Sequence, residues 1–184
     1  MSYLRTFAPW IVFAAVPGAY WQWAALAAAV MASADVVVRR RRGVGFDALV
    51  IELGTVAFFV ALTVLAIVAP DTALHAYAPA LSNAALAVIA GGSLVARVPF
   101  TLGIAKQTTP QEVWKQPLFV RTAYVLTGVW TAAFAIGAVV LAVFAHADSV
   151  VRVVAQVLVF AVPMVFTVRY VACVRAKASA LRAG

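Results

Sequence analysis

Residues 19–42, AYWQWAALAAAVMASADVVVRRRR, form an apolar run about one bilayer long that ends in four consecutive arginines. The hydrocarbon core of a membrane is ~30 Å thick and takes roughly 20 helical residues to cross. The stretch from Ala19 to Val38 therefore has the length of a transmembrane helix, and Arg39, Arg40, Arg41 and Arg42 stop it. Cations crowded into a short loop set orientation, because Lys and Arg accumulate on the cytoplasmic side. The arginine run is thus a topology signal that predicts a cytoplasmic loop.

The same alternation of apolar run and charged break continues outward over all 184 residues. With 66% hydrophobic and 11% charged residues and a mean hydropathy of +1.03, the chain cannot dress a water-soluble surface. In lipid every backbone polar group must be satisfied internally, which favours helices. The pattern predicts an all-α fold: a polytopic integral membrane helical bundle with five transmembrane helices plus a short N-terminal apolar helix, in one membrane domain over residues 1–184. The spans are expected at about 19–38, 47–68, 80–98, 120–145 and 150–172. The short helix is expected at 7–16, divided from the first span by Pro17 and Gly18, since proline removes a backbone donor. It could lie in the interface, re-enter or cross. Arg5 followed by this run outlines a signal peptide, but one positive charge is a weak start. Tyr20, Trp21 and Trp23 also lead straight into the next span, so a retained helix is expected.

Net charge is +8, from 14 Lys and Arg against 6 Asp and Glu. Alternating spans bring the arginine run, the set Lys106, Lys115 and Arg121, and the tail Arg169, Arg175, Lys177 and Arg182 to one side. That predicts a cytoplasmic C-terminus and contacts with anionic lipid headgroups. Nucleic acid is not an expected partner, because no soluble basic surface with interleaved aromatics is present. The single cysteine, Cys173, has no disulfide partner within the chain and is expected to act as a small buried hydrophobe.

Between Phe100 and Phe119 the chain mixes Lys106, Gln107, Glu112, Lys115 and Gln116 with apolar residues, and Pro110 and Pro117 cut it into short pieces. One reading is a cytoplasmic segment on the headgroup region with Trp114 as interfacial anchor. Lys106, Trp114, Lys115 and Arg121 would then be its surface for partner proteins or lipids. The other reading is an ordinary connecting loop.

Glu52 is the one acid well inside a predicted span. An ionisable group costs roughly 2.5–3.5 kcal/mol at a membrane helix centre, so it is a functional candidate by default. Arg97, near the same end of the neighbouring antiparallel span, is its expected partner in an intramembrane ion pair. A proton or ion relay would need further polar steps, for which Asn83 and Gln156 are available. Asp35 stands four residues before Arg39 and should pair with it. His75 and His146, each near an aspartate, lack the ligand spacing of a zinc site. No metal, cofactor or catalytic group is expected. Small residues at Ala24 and Ala28, Gly54, Gly91, Gly92, Gly128 and Gly137 suit close helix approach. They are compatible with a homo-oligomer but do not indicate one. The stretches 55–66 and 131–142 echo one another, as a duplicated hairpin would.

Phe7-Ala-Pro-Trp-Ile-Val-Phe13 precedes a Trp21- and Ala-rich span ending in the arginine run. Later come Lys106-Gln107, Pro110-Gln-Glu-Val-Trp-Lys115 and Val129-Trp130-Thr-Ala-Ala-Phe134. This order resembles a distant member of the bacterial intracellular septation protein A family of inner-membrane-spanning proteins. The chain departs from that pattern in having Ala105 before Lys106, Gly128-Val129 before Trp130, Glu52 in its second span and a longer 100–119 segment. The resemblance implies the bacterial inner membrane and a non-enzymatic role in cell-envelope maintenance or septation, through contacts with elongation or division proteins. It implies no catalytic residues. The alternative read from the residues is a small-solute or ion transporter or channel using Glu52 and Arg97.

Overall fold

The computed structural model describes residues 2–16, 18–107 and 109–183. Pro17, the expected break in the first apolar block, lies outside the described residues, as do the side chains of Arg5 and Arg182. The described residues form seven α-helices and no strand: α1 (Ser2–Ala15), α2 (Trp21–Arg41), α3 (Val50–Val68), α4 (Ala78–Val95), α5 (Phe100–Lys106), α6 (Pro117–Val143) and α7 (Ser149–Ala183). Five helical segments, Gly18–Arg41, Val50–Val68, Ala73–Val95, Pro117–Val143 and Ser149–Ser179, are long and apolar enough to cross a membrane. The protein is an all-helical, multi-pass membrane bundle.

Boundaries shift from expectation for local reasons. Phe46–Leu49 closes a 3-10 turn, so the second span starts at Val50 instead of Asp47. Pro117 starts α6 three residues early, because proline at the first helical position loses only an N–H that would have no partner anyway. α7 does not stop at Ala172 but runs to Ala183, through alanines and basic residues that all favour helix. One turn past its internal Pro163, the Thr167 hydroxyl donates to the Pro163 carbonyl at 2.7 Å and accepts from Trp130 Nε1 at 3.1 Å.

The N-terminal helix buries its aromatic face in the bundle. Phe7 and Trp10 are each 4% exposed. Phe7 stacks on Trp130 of α6 at 5.6 Å and meets Phe160 of α7 edge-on, while Trp10 lies against Phe58 and Phe59 of α3. The Trp10 indole N–H reaches the Thr55 hydroxyl at 3.0 Å, satisfying a donor that lipid could not. Ile11 on the opposite face is exposed, so α1 has one protein side and one side open to lipid. Phe134 completes this aromatic layer between Trp130 and Phe160.

Small residues act at some of the expected positions only. Ala25 and Ala28 are fully buried in α2, which packs on α3. A Cβ on Gly54 would come within 2.6 Å of Ile89, and one on Gly137 within 2.6 Å of Val159, so hydrogen is required at both points of helix contact. Gly92 and Gly128 face open space. At one end of the bundle, His75 Nε2 bonds the Gly18 carbonyl at 2.9 Å and the Tyr77 hydroxyl meets His146 Nε2 at 3.4 Å, tying three connections together. This is the distal end; the arginine run and the 100–116 segment occupy the opposite, basic end.

Candidate functional site

Antiparallel α2 and α3 are joined by the short stretch 42–49, so the last turn of α2 and the first turn of α3 lie at one depth. That depth holds the buried polar cluster of the basic end. Arg39 Nε donates to Asp35 at 2.6 Å, one turn back on its own helix, as its spacing predicts. Arg39 Nη1 lies 3.3 Å from Glu52 Oε1. The Thr6 hydroxyl of α1 donates to the same carboxylate oxygen at 3.3 Å, and Arg39 Nη2 reaches Thr6 at 3.4 Å. Three helices are therefore bound through the guanidinium of Arg39, a residue only 7% exposed.

This corrects the expected Glu52–Arg97 pair. Arg97 is exposed, with φ 60°, just past the end of α4. There the Arg97 N–H donates to the Leu94 carbonyl and the Val98 N–H to the Ser93 carbonyl, closing the helix with the two bonds of a Schellman motif. The Arg97 carbonyl accepts from the Tyr124 hydroxyl at 3.2 Å. Its conformation normally belongs to glycine, and a side chain there costs roughly 1–2 kcal/mol. Arg97→Gly is accordingly expected to stabilise the protein by about 1 kcal/mol, read as a higher unfolding midpoint in detergent; a lower midpoint would mean that the guanidinium makes a contact worth more than the strain.

The arginine run divides its labour. Arg39 is the buried hub, and Arg40 donates to the Val44 carbonyl at 2.8 Å and sits 3.9 Å from the centre of the Phe46 ring, fixing the loop. Arg41 and Arg42 are exposed. Beside the hub, a crevice of about 300 Å³ opens between α1, α2 and α3, with Thr6, Asp35, Glu52 and Thr55 supplying its polar wall. Pro9, Met31 and Val38 line its apolar side, and Arg39 stands outside the lining. Such a crevice can hold a small molecule against the Glu52 carboxylate.

The 100–121 segment is also built. Phe100, Thr101 and Ile104 of α5 are buried, and the Thr101 hydroxyl donates to the Ala123 carbonyl of α6 and meets the Thr127 hydroxyl, both at 2.8 Å. Trp114 Nε1 donates to the Thr109 carbonyl at 2.9 Å, and Lys106 Nζ lies 5.3 Å from the Trp114 ring centre. Lys115 and Arg121 are exposed beside this unit.

Asn83 and Gln156 do meet, at 3.3 Å, but at the distal end. At 1.5 Å per residue they lie roughly 18 Å from Glu52 along the bundle axis, and the aromatic layer intervenes. Among the described residues no three His, Cys, Asp or Glu side chains converge to hold a metal. The sequence reading missed Thr6, whose single hydroxyl leaves no mark in a hydropathy pattern, and Arg152, a lone cation at the start of the last span. No protein-family model matches the chain, and no curated protein or solved structure matches it either.

Proposed function

We propose that this chain is a non-enzymatic protein of the bacterial cytoplasmic membrane that serves cell-envelope maintenance or septation by holding partner membrane proteins and anionic lipids at its basic face. The observation that carries this reading is the anchoring of α5. A mere connector has no need of a buried Phe100, Thr101 and Ile104 on the flank of α6, or of a lysine stacked over a tryptophan. The anchored segment holds Lys106 over Trp114, and exposed Lys115 and Arg121 follow closely in sequence, a combination suited to a headgroup surface and to an acidic or aromatic partner. On this reading the basic end and the C-terminus are cytoplasmic.

In-cell crosslinking from a photoreactive residue at Trp114, compared with the same probe at His146, tests it. Capture of elongation or division proteins from Trp114 alone is expected. Equal capture from both positions, or lipid adducts alone, would count against it.

A second reading, a small-solute or ion transporter, draws on the crevice beside Glu52. It requires Glu52→Gln to abolish a flux measured in proteoliposomes with the parent protein, while the variant stays folded. Absence of flux in the parent removes it.

A further inference from the structure

We infer that the crevice between α1, α2 and α3 binds a membrane-dissolved amphiphile by its ammonium group, with Glu52 as the counter-charge. The inference gives a ligand to the cavity of the second functional reading, and it stands whether or not that ligand is carried across. At about 300 Å³ the cavity has the size at which small-molecule sites begin.

The polar wall offers only acceptors. The Thr55 hydroxyl gives its hydrogen to the Ile51 carbonyl at 2.7 Å and takes one from the Trp10 indole. The Thr6 hydroxyl gives its hydrogen to Glu52 and takes one from Arg39. A hydroxyl has a single hydrogen, so both threonines are left with lone pairs, as are the carboxylates of Glu52 and Asp35. Arg39 directs its N–H groups at Asp35, Glu52 and Thr6 and stands outside the lining. Among the described residues the lining therefore holds two carboxylates and no cation. A group set against this wall must donate hydrogen bonds, and a charged donor gains most beside a buried carboxylate.

The mouth decides how the ligand arrives. Met31, Ala34 and Val38 line the crevice, yet they are exposed on one face of α2 within a membrane span, so they meet hydrocarbon. On the other side of Glu52 the gap between α3 and α5 measures about 10 Å³, room for one water. A cation coming from the water at this end would also meet exposed Arg40, Arg41 and Arg42. Entry is thus sideways, from the leaflet. Polarity along the crevice is graded to match. Glu52 is in the first turn of α3, whereas Met31 lies about one turn deeper than Asp35 and Pro9 nearly a turn deeper than Thr6. An amphiphile held here keeps its head at the boundary and its apolar body inward, as it does in a bilayer.

Protein in phosphatidylcholine vesicles would be irradiated with a long-chain primary amine that carries a diazirine in its chain, and the adducted peptides mapped. Adducts on α1 and α2 beside the crevice are expected, and none there from the carboxylic acid of the same chain. They should fall about tenfold in Glu52→Gln, as loss of a charged hydrogen-bonded contact implies. Ala34→Leu narrows the mouth without touching the polar cluster. It should remove the adducts at an unchanged unfolding midpoint, which separates loss of the site from misfolding. Adducts displaced by excess phosphatidylethanolamine assign a lipid headgroup as the source of the ammonium. Adducts that persist against it but yield to unlabelled amine assign a free amphiphilic amine. Equal labelling by amine and acid, or labelling indifferent to both substitutions, would overturn the site. Crevice adducts without flux of the amine in proteoliposomes keep the site and remove the transporter reading; flux without crevice adducts does the reverse.

Discussion

Arg39→Gln is expected to lower stability by about 3–5 kcal/mol, because it removes the cation that joins Glu52 to Asp35 and leaves the Glu52 carboxylate buried. Thr6 loses a partner in the same step, so α1 should loosen from α2 and α3 together. Glu52→Gln is the informative contrast. It leaves Arg39 bonded to Asp35 and keeps an acceptor for Thr6, so about 1–2 kcal/mol is expected. Unfolding in mixed detergent, followed by tryptophan fluorescence, would rank the two. If the Arg39 variant proves as stable as the Glu52 variant, the cluster is hydrated and does not hold the three helices.

Trp130→Ala should cost a similar ~3–5 kcal/mol by a different route. Trp130 is fully buried and touches Phe7, Phe134 and Phe160, so one deletion opens the contact between α1, α6 and α7. Lipid tails are as apolar as the ring they would replace. The loss is therefore one of packing contacts and a cavity, not of hydrophobic transfer. The indole also donates to Thr167 beside Pro163, where α7 has lost a backbone donor. Trp130→Phe retains the aromatic contact and gives up only this bond, so about 1 kcal/mol is expected. Equal effects of the two substitutions would mean that the hydrogen bond at the Pro163 turn, and not the aromatic layer, is what Trp130 contributes.

The helices themselves were legible because each is an apolar run of bilayer length ended by arginines, Pro70, Pro99 or the His146–Asp148 break. Periodicity says nothing about lateral neighbours, and there the reading failed. Arg39 and Arg97 both stand near the depth of Glu52. Arg97 stood on the next span in sequence, whereas Arg39 is joined to Glu52 by a shorter connection and already lay beside Asp35. The sequence offered no way to see that Arg97 would be turned outward by the left-handed residue that ends α4. The placement of α1 was equally hidden. Fourteen residues are short for a span, and only the meeting of Phe7 and Trp10 with aromatics from α3, α6 and α7 makes the helix part of the core. Asp35 with Arg39 was legible because both lie on one helix, where spacing alone fixes distance.

The proposal for the basic face stands on which side of the membrane that face occupies, and side-specific cysteine labelling measures this directly. With Cys173→Ser as background, single Trp114→Cys and His146→Cys variants would be exposed in intact cells to a membrane-impermeant maleimide. The account predicts labelling at position 146, and at position 114 only after the membrane is opened. Labelling at 114 in intact cells would contradict it, removing the anchored 100–121 segment from the cytoplasm and from any partner there.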